Sequence, residues 1–286
     1  MSLDRLYEYL QRPLLVITGA GISTASGIPD YRDRQGVRRG SQPMMYQTFI
    51  VDPAARQRYW ARAMLGWPRI LQAQPNAAHL ALAELQSAGR ISGLITQNVD
   101  GLHQRAGSAA IELHGSLHRV RCLDCQAQYD RALIQTQMQA DNPHMQQVEA
   151  MQAPDGDTLL DEARIGGFQV PSCAHCEGVR LKPDVVFFGE NVARQTAADA
   201  TALATEAAGV LVVGSSLMAW SAFRLCKAMA EQGKPILAIN QGITRADELL
   251  TAKFDDPCEE LLPQLVVRLA EPPGLRDFRD FRDFRD

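Results

Sequence analysis

Two Cys-x-x-Cys pairs, Cys122/Cys125 and Cys173/Cys176, constrain what this 286-residue chain can fold into more than any other feature. Each pair offers two thiolates on one tight turn. Two such turns complete the closed tetrahedral four-sulfur shell that a structural zinc prefers, whereas a catalytic zinc would keep an open position for water. The span 117–180 around them therefore reads as a small zinc-binding domain. His175, between Cys173 and Cys176, competes as a ligand, and a redox dithiol or a pair of disulfides is the alternative reading.

The rest of the chain is long enough for one large domain with an insert or for two modest ones, and 46% hydrophobic residues support a full core. A net charge of -4 supplies no basic field of the kind that holds phosphate backbones, so nucleic acid is not an expected partner. Neither a targeting segment in Met1-Ser2-Leu3-Asp4-Arg5-Leu6 nor an apolar stretch long enough to span a bilayer is visible. No membrane partner is expected. Thiolates kept free for metal suit a reducing compartment, and the expectation is a soluble cytoplasmic protein.

Short apolar runs at Leu14–Thr18, Ile91–Thr96, Val185–Phe188, Gly209–Val213 and Pro235–Ile239 read as buried parallel strands. Ala- and Leu-rich stretches between them, His79–Ala88 and Thr196–Ala207, read as helices. This alternation predicts an α/β fold, a Rossmann-like doubly wound parallel sheet built from residues 1–34, 74–116 and 181–270. Residues 35–73, rich in Arg, Met and aromatics, form a helical insertion. The stretch between the cysteine pairs, Gln126–Ser172, is Gln-rich, carries Pro154-Asp155-Gly156-Asp157 and reads as a partly helical insertion. The repeated Arg-Asp-Phe of 271–286 has too little apolar surface to order itself and is expected to be a disordered tail.

Chemistry-bearing residues gather where predicted strands end. Gly19-Ala20-Gly21 follows the first strand and suits close backbone approach to a pyrophosphate, but Thr24 stands where a dehydrogenase fingerprint needs its third glycine, which disfavours hydride transfer. Asp30-Tyr31-Arg32 just beyond offers an aromatic lid and a charged clamp. Thr96-Gln97-Asn98-Val99-Asp100 follows the second strand, and ligands bind at the carboxyl ends of strands in such sheets. Leu113-His114-Gly115 places an imidazole at a domain junction, a suitable general base near neutral pH. Val185-Val186-Phe187-Phe188-Gly189-Glu190, Gly214-Ser215-Ser216-Leu217 and Asn240-Gln241-Gly242 complete the set; the last two suit hydrogen bonds to ribose or adenine edges.

The order and spacing of these strings, with both cysteine pairs, resemble the sirtuins, NAD-dependent protein lysine deacylases, from about Leu14 to Leu269. Tyr31, Arg58-Tyr59-Trp60-Ala61-Arg62, Gly66-Trp67-Pro68 and the long insertion with Ala153-Pro154-Asp155-Gly156-Asp157 look like the class II branch. Met218-Ala219-Trp220-Ser221 departs from the x-Val-x-Pro that often follows Gly-Ser/Thr-Ser-Leu in a segment lining the acyl-peptide groove, so peptide preference does not carry over.

The resemblance implies NAD as cosubstrate and Zn2+ as a structural metal. NAD would contact Gly19, Ala20, Gly21, Tyr31, Arg32, Gln97, Asn98, Asp100, Gly214, Ser215, Ser216, Asn240, Gly242 and Cys258, with its pyrophosphate on Ala20 and Gly21 and its carboxamide on Asp100. The acyl-lysine of a protein or peptide would lie along Val185, Phe187, Phe188, Gly189 and Glu190. Its carbonyl oxygen would attack the anomeric carbon as nicotinamide leaves. His114 would then act as general base on a ribose hydroxyl, with Asn98 holding the ribose. Tyr59 and Arg62 resemble the Tyr-x-x-Arg pair of the branch that removes carboxylated acyl groups. Mono-ADP-ribosyl transfer to a protein and non-enzymatic NAD or ADP-ribose sensing are the alternatives.

Overall fold

The computed structural model describes residues 3–39, 42–147, 151–152, 158–159 and 165–270. The Arg-Asp-Phe tail at 271–286 and Pro154-Asp155-Gly156-Asp157 lie outside the described residues. In chain order the strands are β1 (Leu14–Thr18), β2 (Ile91–Thr96), β3 (Ile111–Glu112), β4 (Gly115–Cys122), β5 (Gln128–Asp130), β6 (Met151–Gln152), β7 (Thr158–Leu159), β8 (Leu181–Val185), β9 (Val210–Val213), β10 (Ile236–Ile239) and β11 (Ala252–Phe254). The helices are α1 (Leu3–Tyr9), α2 (Tyr46–Val51), α3 (Pro53–Gln72), α4 (Ala77–Ser87), α5 (Leu102–Arg105), α6 (Arg131–Asp141), α7 (Arg194–Glu206), α8 (Trp220–Glu231) and α9 (Cys258–Ala270).

Continuous apolar runs become strands buried on both faces. In β1, Leu14 and Val16 point into a layer shared with α4 and α9, while Leu15 and Ile17 point the other way into a layer shared with α7 and α8. The same alternation sends Leu211 and Val213 of β9 to the first layer and Val210 and Val212 to the second. The sheet is six-stranded, parallel throughout, and ordered β11-β10-β9-β1-β2-β3. From β1 the chain winds outward through β2 and β3, then returns to lay β9 on the opposite flank. The winding therefore reverses between β1 and β9, which opens a crevice at the carboxyl ends of those two strands.

The run Val185–Phe188, expected as another strand of that sheet, is a correction. The strand there is β8, Leu181–Val185, and it runs antiparallel to β4, with Leu181 opposite Cys122, Pro183 opposite Val120 and Val185 opposite Gly115. With β5 on the far side of β4, these form a separate three-stranded sheet. Pro183 is tolerated because β8 is an edge strand. A third, two-stranded sheet pairs β6 with β7.

The helical insertion packs on this small sheet. Asp52 caps α3 by accepting the Ala54 N–H at 2.9 Å, and Pro53 occupies the first helical turn, where no amide donor is needed. The face that α3 turns inward carries Trp60 and Met64, which join Ile134 and Met138 of α6 and Val120 and Leu181 of the small sheet in one core. The Trp60 indole N–H donates to the Leu181 carbonyl at 3.0 Å, so β8 is tied to α3 as well as to β4.

Candidate active site

Two loops interlock in the crevice. The Gly21 N–H donates to the Gly214 carbonyl at 2.8 Å, and Gly214 adopts φ +58. A Cβ on Gly214 would lie 2.3 Å from the Ile22 nitrogen, and one on Gly19 would lie 2.7 Å from the Ser215 Cβ. The missing side chains thus let the turn after β1 approach the turn after β9. Sequence reasoning assigned Gly19 and Gly21 to pyrophosphate approach and Gly214 to the adenosine, and missed this second cause.

Side chains from the end of β2 brace the interlock. The Gln97 amide donates to Ser215 Oγ at 2.7 Å and to the Thr18 carbonyl at 3.1 Å. The Asn98 amide donates to the Gly19 carbonyl and to Ser23 Oγ, both at 3.1 Å. Ser23 Oγ in turn donates to Asp100 Oδ2 at 2.7 Å, and the other Asp100 oxygen accepts the Leu102 N–H at 3.0 Å. Beneath lie two buried histidines, His79 and His103, with ring centroids 4.9 Å apart. His103 Nε2 is hydrogen-bonded to Thr18 Oγ1 at 2.9 Å. Burial pushes both rings down, to about 4 for His79 and about 3 for His103.

His114 stands where the two sheets meet, between β3 and β4. A Cβ on Gly115 would fall 1.9 Å from the Asp184 carbonyl oxygen, so the residue after His114 must be glycine for β4 to run beside β8. The His114 ring is held at both nitrogens, Nδ1 by the Gln97 carbonyl at 3.0 Å and Nε2 by Ser221 Oγ at 2.7 Å. Burial lowers its pKa below the usual imidazole value, partly offset by the bond to Gln97. At neutral pH the ring is uncharged and able to accept a proton.

These groups face one cavity of about 1330 Å³. That exceeds the roughly 300–1,000 Å³ of an ordinary small-molecule site, which leaves room for a dinucleotide and a second substrate. Of the residues proposed from sequence, Gly19, Ala20, Gly21, Tyr31, Arg32, Gln97, Asn98, His114, Gly214, Ser215, Ser216, Asn240 and Cys258 line it, as do Tyr59, Val185, Phe187, Phe188, Gly189 and Glu190. Asp100, Gly242 and Arg62 are not among the lining residues. Asp100 is buried behind Ser23, and Gly242 packs on the Arg34 backbone. Arg62 is half-buried on α3, one turn beyond Tyr59.

The wall opposite the glycine interlock is aromatic. Tyr59 meets Phe49 and Phe187 edge-on at centroid distances of 5.5 and 5.2 Å. Phe188, 46% exposed, lies under the Arg38 guanidinium at 4.9 Å. Glu190, a substrate candidate from sequence, is committed to the backbone: its carboxylate accepts the Phe187 N–H at 2.8 Å and pairs with the buried Lys182 ammonium at 2.9 Å. Arg38, which lines the cavity, was missed, because nothing in a lone Arg-Arg string signals a cavity wall.

The four cysteines converge at the tip of the small sheet, their sulfurs all within 4.8 Å of one another. Cys122 and Cys176 are separated by 3.7 Å, Cys125 and Cys173 by 3.6 Å, and all six cysteines of the chain are free thiols. Those spacings match the edge of a tetrahedron with Zn–S bonds of about 2.3 Å. The donor set thus fits a closed structural zinc.

The Sir2 family model matches residues 19–221. An "NAD-dependent protein deacetylase 3" of Pseudomonas syringae pv. tomato is 69% identical over 91% of this chain and 92% of its own length. An "NAD-dependent protein deacetylase" of Xanthomonas campestris pv. campestris is 52% identical over 90% and 88%. Among solved structures, a Sir2–p53 peptide–NAD+ complex superimposes with a TM-score of 0.77 at 30% identity, covering 94% of this chain and 98% of the other. A Sir2 bound to acetylated peptide gives 0.76 with the same identity and coverage. The chain belongs to the Sir2 family, the sirtuins.

Proposed function

We propose that this cavity carries out NAD-dependent deacylation of lysine in proteins or peptides, passing the acyl group to ADP-ribose and releasing nicotinamide. The observation that carries the reading is His114: a neutral, oriented imidazole facing a cavity large enough for both substrates. NAD supplies the electrophilic ribose carbon and the hydroxyl that later accepts the acyl group. Gly214, Ser215, Asn240 and Cys258 would hold its adenosine half, Ala20 and Gly21 its diphosphate, and Tyr31, Arg32 and Asn98 its nicotinamide ribose. Gln97 and Asp100 act by bracing that wall, through Ser215 and Ser23. Tyr59, Phe187 and Val185 would exclude water around the acyl-lysine stem.

His114 takes the proton from the ribose hydroxyl, and Asn98 orients that ribose. The zinc would hold the small sheet in place and take no part in bond breaking, since four sulfurs leave no open position. The substrates are acylated lysines, with neither nucleic acid nor membrane as partner, and the reducing cytoplasm is the compartment proposed for these thiols. Among the described residues no helix is long and apolar enough to cross a membrane.

The test is a panel of acylated peptides incubated with NAD, with peptide and nucleotide products read by mass. Free lysine together with O-acyl-ADP-ribose is the expected result. A protein gaining the mass of ADP-ribose, with the acyl-lysine intact, would replace this reading by ADP-ribosyl transfer.

A further inference from the structure

We propose that Ser221 relays the proton from the substrate hydroxyl to His114. The inference rests on the base role assigned to His114 above, and it starts from the hydrogen-bond inventory of one ring. The Gln97 carbonyl, 3.0 Å from Nδ1, can only accept, so Nδ1 carries the hydrogen. Burial keeps the ring neutral, which leaves Nε2 with a single in-plane lone pair. Ser221 Oγ sits 2.7 Å from that atom and must be its donor. A substrate hydroxyl cannot use the same lone pair while Ser221 holds it. The hydroxyl of Ser221 keeps two acceptor lone pairs, however, and both residues line the cavity.

The backbone is arranged to deliver this contact. Leu217, four residues earlier, takes φ +53, a left-handed conformation unfavourable for a leucine, and is nonetheless buried. Its N–H is captured by Ser215 Oγ at 3.1 Å, which places the strained residue within the same turn that meets Gly21. The chain then enters α8 with Ala219 as its N-cap and no side-chain cap. Ser221, in the first turn of α8, would ordinarily be read as satisfying that helix end; instead its hydroxyl reaches a ring 107 residues away in sequence.

In the relay the substrate O–H bond breaks as its proton joins Ser221 Oγ, and the Ser221 O–H bond breaks as its proton joins Nε2. Two bonds to hydrogen form and two break. Ser221 ends as a hydroxyl, His114 as an imidazolium held by Gln97, and the substrate as an alkoxide ready to attack the acyl carbon.

The experiment compares wild type, Ser221→Ala and Ser221→Thr by two readouts. In the ligand-free protein, nitrogen-15 NMR of the His114 ring should show an Nδ1–H tautomer whose Nε2 accepts a hydrogen bond; Ser221→Ala should move the Nε2 resonance, and Ser221→Thr should return it. With NAD and an acetyl-lysine peptide, Ser221→Ala should lose about 10²-fold in turnover, the lower end of the scale on which a proton-transfer partner acts. Exchange of labelled nicotinamide, which precedes the base step, should survive. Ser221→Thr should recover most of the loss, and Ser221→Ala added to His114→Ala should cost nothing more. Wild-type turnover that Ser221→Ala leaves intact or raises overturns the relay alone, and makes the serine a plug on the base. An unmoved Nε2 resonance, or equal loss of exchange and turnover, overturns it too. A wild type that deacylates no peptide overturns the assigned function and takes the relay with it.

Discussion

The parallel sheet buries every residue of β1, β9 and β10, with one apolar layer on each face. The three-stranded sheet has smaller apolar partners: besides the core it shares with α3 and α6, Leu117 and Val185 meet Trp67, Ile70 and Val99 in a separate small cluster. One side of β4 and β8 rests on Trp60, Met64 and Met138, and β5 is three residues long with both end residues exposed. A sheet that size needs an apolar face or a packed helix to be stable, and α3 and α6 supply that support. The four cysteines border that core, which includes Cys122 and Cys173, and a zinc held by them would add a cross-link to it. The two regions thus differ in support: apolar burial fixes the crevice of the parallel sheet, whereas zinc ligation would add to the smaller core of the module that carries β8 and the proposed acyl wall after it.

Removing the metal is the most severe way to test that difference. Structural zinc contributes on the order of 10 kcal/mol in small isolated modules. Chelation or Cys122→Ser should strip amide-exchange protection from β4, β5 and β8 while β1, β9 and β10 keep theirs. Protection of β4 that persists in demonstrably zinc-free protein would break the comparison.

The next effect belongs to the junction. His114→Ala should lower deacylation by about 10²- to 10⁴-fold, roughly 3–5 kcal/mol in the barrier, while NAD binding measured by calorimetry survives. Because burial lowers the His114 pKa, the acid limb of kcat/KM in the wild type should lie below the ordinary imidazole value of about 6.5. An acid limb above that value would remove His114 as its source.

A subtler probe addresses the parallel sheet alone. His79 and His103 titrate near 6.5 when unfolded but are pushed to about 4 and about 3 when folded. Between those values the unfolded chain binds more protons, so stability must fall as pH drops from about 6.5 toward 4. Each ring accounts for a loss on the order of 3 kcal/mol across its window. Denaturant midpoints taken from pH 7 to pH 4 should show it, and His79→Gln should flatten the slope. Identical slopes in the two proteins would mean the pair is not buried neutral.

The smallest effect is expected on the acyl wall. Tyr59 lines the cavity but Arg62 does not, so Arg62→Met should change the succinyl-to-acetyl turnover ratio by less than about threefold, within what an exposed or partly exposed charge contributes. A tenfold or larger fall in that ratio would show that the guanidinium turns inward when a carboxylated acyl group arrives.

These contrasts also explain what was legible in sequence. Leu14–Thr18 and Val210–Val213 are apolar at every position because both faces are covered, and that pattern reads directly as a central strand. Val186–Phe188 is equally apolar for another reason: Phe187 packs directly on Phe49 and Tyr59 in the wall of a cavity. Composition cannot separate the two causes. The edge strands β3 and β11, of two and three residues, are too short to carry any period. The cysteine tetrad and the residues following each strand were readable because local spacing fixes their chemistry. The Ser221–His114 contact was not, since a serine at a helix start looks like a cap and its partner is set by tertiary packing.

The position of β1 between β2 and β9 has a consequence for how the molecule is made. A ribosome releases β1 and β2 early, yet the other edge of β1 stays open until Val210–Val213 emerges. Through most of synthesis the chain therefore exposes an apolar strand edge, the kind of surface that recruits chaperones or pairs wrongly with another copy. Because Gly21 hydrogen-bonds Gly214 in the finished fold, the nucleotide crevice closes at the same moment as that edge. Appearance of nucleotide affinity during translation would thus mark the end of the hazardous interval.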